Sequence, residues 1–290
     1  MRRAETICAV LTSLIALSSV AALGGQTPLG KDASDLRAHL GLQALDRYLE
    51  TWNSRDPERW ATSLNFPHVR PGPGAFELFK TPAQYAASVN FAQTIATGWH
   101  HSEWTTRRVL QVGVDKVHVA GSWLRYTEDG RQLVGTSVTY IVTDQGGRWG
   151  VLSRFAAGPT GTEPTIAAAN ATAARQTVDA YFRAWNSHDP KALGGALHYP
   201  FVRIGDGAVE VTNSVADFMA GPDPGRQRTW YETRLEQAEA VQVSANGANV
   251  AVTYSRRDRT GQAFSKYEAI ILVVRRDELW KLQAVSTMGT

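Results

Sequence analysis

Apolar residues recur along this chain with two different periods, and each change of period marks a change of element. Leu42, Leu45, Leu49 and Trp52 follow one another at three- and four-residue steps, as do Val178, Tyr181, Phe182 and Trp185. That spacing puts each set on one face of a helix. Both patterns end in Asn-Ser-x-Asp-Pro, at residues 53–57 and 186–190. Aspartate is a good helix N-cap and proline is tolerated at a first helical position, so the block predicts that one helix stops and another starts. A short strand is expected at His68 to Arg70, with turns at Gly72-Pro73-Gly74 and at Gly205-Asp206-Gly207. A further helix is expected over Pro82 to Ile95, with a shorter counterpart at Val215 to Ala220. The period then becomes two, as in Val117 to Trp123, and strands are expected at Val134 to Val142 and Trp149 to Phe155. Glu128-Asp129-Gly130 and Gln145-Gly146-Gly147 supply the turns between them. Helices grouped first and strands afterwards predict an α+β fold.

The two helical patterns belong to a longer repeat. Tyr48, Trp52, Asn53, Ser54, Asp56 and Pro57 recur 133 residues later as Tyr181, Trp185, Asn186, Ser187, Asp189 and Pro190. Pro67, Val69 and Arg70 meet Pro200, Val202 and Arg203 at the same offset. Beyond about residue 90 the offset is 131, pairing Trp99 with Trp230, Arg125 with Arg256, Gly130 with Gly261 and Trp149 with Trp280. The chain therefore reads as two similar domains, over residues 40–157 and 173–287, with residues 158–172 as a linker rich in Gly, Pro, Thr and Ala.

Composition narrows the setting. Arg2 and Arg3, an apolar run from about Ile7 to Leu23 and small residues through Gly25 have the pattern of a secretory signal peptide, residues 1–25. Thr12, Ser13, Ser18 and Ser19 dilute that run, so cleavage is expected in preference to a retained anchor, leaving a periplasmic or secreted protein with no stable membrane span. Cys8 is the only cysteine, so a processed chain would have no thiol for disulfides, nucleophilic catalysis or metal binding. A net charge of +3 on 290 residues, with both signs interspersed, excludes the basic stripe of a nucleic-acid binder.

The helix carrying Tyr-x-x-x-Trp-Asn-Ser-x-Asp-Pro, the proline-containing strand, the next helix and the last tryptophan-bearing strand together resemble the nuclear-transport-factor-2-like superfamily. The nearest resemblance is to SnoaL-like and ketosteroid-isomerase-like domains, and it covers both halves. It implies two tandem cone-shaped domains, each a curved antiparallel sheet wrapped around about three N-terminal helices. The fold hosts isomerases, dehydratases, cyclases, binding modules and assembly domains, so it implies no single function. In its isomerases a tyrosine on the first helix stabilises the developing enolate while a carboxylate near the end of the first strand moves the proton. Tyr48 and Tyr181 match the tyrosine. The carboxylate is missing, because Phe66 and Tyr199 precede the prolines and only Asp206 lies nearby. The Asp-Arg-Asp arrangement of a related epoxide hydrolase is also missing.

Several other residues are candidates. Arg70 and Arg203 are expected either to hold an anionic group of a ligand or to form structural ion pairs, with Asp56 or Asp189 as partners. His68 lies on the same strand face as Arg70. His100 and His101 face opposite ways on an extended strand, so only one of them can meet a pocket, and His100 is the candidate. Glu268, whose counterpart is Ser137, is either a buried acid or base or the partner of Lys266 or Arg256. Trp52 and Trp185 are candidate pocket walls, although the repetition of these and of Trp149 and Trp280 also fits core packing. His68, His100, His101 and His118 lack a recognised ligand spacing, so no metal and no other cofactor is expected.

The leading expectation is an exported protein that binds a small, largely apolar or weakly acidic molecule in at least one cone. One alternative is a proton-transfer enzyme of the isomerase, cyclase or dehydratase type, using Tyr48 or Tyr181 with Glu268 or a histidine. A third is an assembly module in which the two curved sheets pair as a pseudo-dimer.

Overall fold

The computed structural model describes residues 30–74, 76–205, 208–221 and 230–288. The expected leader, and Asp206 and Gly207 of the second turn, lie outside the described residues.

The first half contains α1 (Lys31–Asn53), α2 (Pro57–Ala61), β1 (Leu64–Pro71), β2 (Phe76–Phe79), α3 (Pro82–Ser88), α4 (Phe91–Ile95), β3 (His101–Val112), β4 (Lys116–Tyr126), β5 (Gln132–Gln145) and β6 (Arg148–Pro159). The second contains α5 (Pro164–Asn186), α6 (Pro190–Gly195), β7 (Leu197–Ile204), β8 (Val209–Thr212), α7 (Val215–Ala220), β9 (Glu232–Val243), β10 (Gly247–Arg257), β11 (Ala263–Arg276) and β12 (Leu279–Thr287). Each half builds a six-stranded sheet, in the orders β2-β1-β6-β5-β4-β3 and β8-β7-β12-β11-β10-β9. The sheets are not wholly antiparallel: β1 runs parallel to β6 and β7 parallel to β12. Parallel neighbours need a long crossover, which the helices and meander between them provide.

The Asn-Ser-x-Asp-Pro block works as the sequence implies. Ser54 ends α1, Arg55 adopts a left-handed φ of 60°, and the Asp56 carboxylate accepts from the N–H groups of Glu58 and Arg59 at the start of α2. His188, at φ 55°, and Asp189 repeat the arrangement. The asparagine clamps the helix to the sheet. Asn53 accepts from the Ser102 N–H and donates to the Ser102 carbonyl, both at 2.9 Å, and Asn186 does the same with Thr233 at 2.8 Å.

Two elements differ from expectation. The helix expected over Pro82 to Ile95 is broken into α3 and α4, because Val89 is extended and the Asn90 side chain caps α4 by accepting from Gln93 N–H. The expected linker is largely helical, since α5 begins at Pro164. Proline suits a first helical position, and the alanines that follow have the highest helix propensity.

The outer faces of the two sheets pack against each other. Val69, Ile141, Leu152 and Phe155 form one core with Val202, Ile204, Ile270, Leu272, Val274 and Ala284. Paired hydrogen bonds show a pseudo-twofold axis through it. Gln111 donates to the carbonyls of Val252 and Ala269, and its repeat counterpart Gln242 donates to those of Gly121 and Val138, the counterparts of those acceptors. His118 and its counterpart Asn249 stand beside these glutamines in the same way. Lys116 is 1% exposed and donates across the interface to the carbonyls of Gly205 and Thr287. The halves therefore form an internal pseudo-dimer, and each cone opens on the side of its sheet away from the other half.

Candidate functional site

Each helix pair lies in the hollow of its sheet, and a cavity remains between them. In the first cone it measures about 240 Å³. Tyr48 and Trp52, four residues apart on the buried face of α1, form one wall; Trp60 of α2 and Trp123 of β4 form others. Trp52 is fixed by ring contacts with Trp60 at 4.5 Å, Phe91 at 4.9 Å and Trp99 at 5.1 Å. Its indole N–H donates to the Ser102 hydroxyl at 3.0 Å, as does that of Trp99.

Three arginines reach this aromatic chamber from three strands: Arg70 at the end of β1, Arg125 of β4 and Arg154 of β6. Arg70 pairs with Glu77, its register partner on β2, and its guanidinium lies over the rings of Phe79 and Tyr85. Arg154 donates to the Tyr48 hydroxyl at 2.6 Å and lies 5.9 Å from the Tyr48 ring and 5.7 Å from that of Trp60. Arg125 sits over Trp52 at 5.2 Å and Trp123 at 5.4 Å. Among the described residues no carboxylate pairs with Arg125 or Arg154, and their Nε atoms are buried without a hydrogen-bond partner. Burying an unpaired charge is costly, and arginine does not escape the cost by losing its proton. The Tyr48 oxygen already accepts from Arg154, so its own proton is directed elsewhere, and that donor is strengthened by the adjacent cation.

The second cone is smaller, about 140 Å³, with Tyr181, Phe182, Trp185, Arg203, Tyr254 and Tyr267 among its lining residues. Arg203 faces Glu210 at 3.6 Å, repeating the Arg70–Glu77 pair. The partners of the repeated arginines are thus glutamates on the neighbouring strand. Asp56 and Asp189 instead serve as helix caps.

Tyr48, Trp52 and Arg70 meet in the first cavity, and Tyr181, Trp185 and Arg203 in the second. Trp149 and Trp280 belong to the surrounding core and do not line either cavity. His68 is fully buried behind Tyr85, its Nδ1–H donating to the Val151 carbonyl at 3.0 Å and its Nε2 unpartnered. Burial, with the charges of Arg154 and Arg70, pushes its pKa well below the ordinary histidine range, so it is a neutral group beneath the cavity. His100 is exposed just before β3, with its Nδ1 3.1 Å from that of His101, and it does not line the cavity. Glu268 alternates with Tyr267 and Ile271, which line the second cone, and shares parity with Ile270 and Leu272 in the inter-sheet core. It therefore faces away from Tyr181, and an acid–base pair of Glu268 with Tyr181 is not formed. Burial raises the Glu268 carboxyl, partly offset by Lys266.

Sequence reasoning missed Arg154 and Glu77, and it noted Arg125 only as the repeat counterpart of Arg256, not as a site residue. Arg154 had one visible signal: it interrupts an apolar strand at a position where the other half carries Val285. Glu77 had another, because Glu210 recurs 133 residues later, at the offset that relates Arg70 to Arg203.

Curved sheets closed over an N-terminal helix, each with an aromatic cavity, define a tandem cone-domain protein of the nuclear-transport-factor-2-like class. The chain belongs to the NTF2-like protein (DUF6841) family, whose model matches residues 42–159 and again 170–290. No curated protein matches it. Among solved structures, one half is similar to an NTF-2 like protein of unknown function from Shewanella oneidensis MR-1, at 16% identity over 40% of this chain and 95% of that one, with a TM-score of 0.34. It is also similar to a ketosteroid isomerase-like protein from Erwinia carotovora atroseptica, at 18% identity over 41% of this chain and 95% of that one, with a TM-score of 0.32. A putative calcium/calmodulin dependent protein kinase II association domain from Xanthomonas campestris matches at 16% identity over 39% and 81% of the two chains, with a TM-score of 0.31.

Proposed function

We propose that this protein binds a small, largely apolar organic acid in its first cone. The observation that carries this reading is the pair of guanidinium groups of Arg125 and Arg154, which stand without carboxylate partners among the described residues in a tryptophan-walled cavity. A ligand carboxylate supplies the missing charge, taking hydrogen bonds from Arg154 and the Tyr48 hydroxyl, while its carbon frame lies against Trp52, Trp60 and Trp123. A cavity of about 240 Å³ suits a molecule at or below the small end of ordinary ligand pockets, such as a monocyclic aryl acid. Calorimetric titration with benzoate tests this. One equivalent is expected to bind, and Arg154→Met should weaken it by about 10- to 100-fold, the loss of a hydrogen bond to a charged group. Unchanged affinity in a folded Arg154→Met protein rejects the reading.

One observation favours a second reading, a proton-transfer enzyme. The Tyr48 hydroxyl polarised by Arg154 is the kind of donor that stabilises an enolate. Among the described residues, those lining this cavity include no aspartate, glutamate or histidine to serve as the base, and this favours the binding reading. Deuterium exchange into the α-position of a bound keto acid, lost in Tyr48→Phe, would reverse that preference.

We also propose that the chain is exported and that residues 1–25 are removed. Mass spectrometry of the protein from its native host is expected to show a mature N-terminus near Gly25.

A further inference from the structure

We propose that the second cone is a separate site for a small uncharged aromatic molecule, so that the duplicated domains have divided into an acid-binding cone and a neutral-binding one. The acid half of this division rests on the function proposed for the first cone, whereas the neutral half stands on the lining of the second cone itself.

The two cones differ position by position along the repeat. Arg154 and Tyr140 are register partners on β6 and β5, and the equivalent partners on β12 and β11 are Val285 and Ile271. The guanidinium that supplies the first cone's deep charge is thus replaced by an isopropyl group. Trp60 becomes Leu193 and Trp123 becomes Tyr254, so the wall changes shape as well as charge. The second cavity has Phe182, Trp185, Ile271 and Val285 in its apolar lining, together with the Tyr181 hydroxyl, to which no described residue is hydrogen bonded. Two arginines also border it: Arg203 is paired with Glu210 and its side chain is 44% exposed, and Arg256 has a further interaction besides the Tyr267 ring, which its guanidinium overlies at 5.0 Å.

An anion placed against Val285 and Ile271 would have no counterpart of Arg154 to meet it, and a charge is strongly disfavoured against such apolar groups. An uncharged molecule meets no such penalty. Size and shape then select a single ring. An apolar cavity of about 150 Å³ is known to hold benzene, and this one measures about 140 Å³. Tyr254 and Tyr267, both in the cavity lining, stack on each other at 5.2 Å with only 19° between their planes, which makes that wall aromatic and rigid. An aromatic ring is well suited to meeting such a wall edge to edge or in a tilted arrangement.

The test uses the whole chain and two fluorinated probes followed together by fluorine NMR, 4-fluorobenzoate for the acid site and 4-fluorophenol for the neutral one. In the unaltered protein both are expected to bind at once without competition. Arg154→Val should weaken 4-fluorobenzoate binding about 10- to 100-fold and leave 4-fluorophenol bound. Val285→Arg should abolish 4-fluorophenol binding and raise the 4-fluorobenzoate stoichiometry from one to two; the milder Val285→Phe, which fills the cavity, should remove 4-fluorophenol alone. The proposal is overturned if 4-fluorophenol does not bind the unaltered protein at millimolar concentration, or if 4-fluorobenzoate displaces it. It is also overturned if a folded Val285→Phe protein retains it. If 4-fluorophenol binds as expected while 4-fluorobenzoate fails to bind, the acid reading of the first cone falls and the neutral site stands.

Discussion

Tyr48 and Arg154 act as a unit, because the arginine occupies the acceptor side of the hydroxyl and leaves the hydroxyl one proton to give. Tyr48→Phe removes that donor while keeping the ring that packs against Trp60 and Tyr140. It is expected to lower thermal stability, because the buried Arg154 guanidinium loses its acceptor, and to weaken benzoate binding about 10-fold, since a hydrogen bond to a charged group contributes roughly 1.5 kcal/mol or more. Calorimetry alongside a melting curve checks both halves of that statement. Half of this unit was legible in the sequence. Tyr48 recurs as Tyr181 and matches the tyrosine that the family resemblance implies, so it announced itself twice. Arg154 did not, because alternation along a strand says which residues share a face but not which face looks into the cone. The same ambiguity explains Glu268, whose surrounding apolar residues suggested a pocket although its parity puts it on the inter-sheet side. Arg70 and Arg203 illustrate a further limit. Their recurrence showed that they matter, but identifying Glu77 and Glu210 as partners required the hairpin register.

At the level of elements, the asparagine of the repeated block does more than close a helix. Asn53 pairs through both its amide atoms with the backbone of Ser102, and Ser102 in turn accepts from the indoles of Trp52 and Trp99. The first helix, the first long strand and the aromatic wall are thereby held in one register. Asn53→Ala leaves a buried backbone donor and acceptor without partners, at a cost of about 1–3 kcal/mol for each. Denaturant unfolding is expected to show a lower midpoint with an unchanged slope, and Asn186→Ala should behave similarly through Thr233. A surface-like loss below about 0.5 kcal/mol in both would show that the clamp carries little weight. The elements themselves were largely readable, since periodicity and turn residues report local preference. What escaped was set locally but more weakly: the break between α3 and α4 depends on the Asn90 cap, and the extension of α5 into the expected linker depends on alanine propensity following Pro164.

At the scale of the whole molecule, two histidines that the fold buries, one at the interface between the halves and one in the first cone, shape how stability responds to acid. His118 lies on the pseudo-twofold interface, 0% exposed, donating from Nδ1 to Gln111 and accepting at Nε2 from the Ser286 hydroxyl. Burial together with the nearby Lys116 ammonium pushes its pKa well below the ordinary histidine range, which keeps the ring neutral and makes Nε2 the acceptor. His68 in the first cone is lowered in the same direction, by burial and then by Arg154 and Arg70. In the unfolded chain both histidines take up a proton near pH 6.5, while in the folded chain they do not. Over the interval between the two pKa values the unfolded state binds more protons, so stability is full above about pH 6.5 and declines as the pH falls below it. Each histidine contributes a slope of at most about 1.4 kcal/mol per pH unit in that interval. The repeat supplies replacements that the fold already accepts, since Asn249 stands where His118 does and Phe201 where His68 does. His118→Asn with His68→Phe is therefore expected to flatten the dependence of stability on pH between about 6.5 and 5, while changing it little above about pH 7. Urea unfolding across that range measures the difference directly, and parallel curves for the two proteins would show that neither histidine is held neutral by the fold. Such a result would also weaken the view that the sheets stay closed on each other in solution, because an open interface would hydrate His118 and return it to its ordinary range.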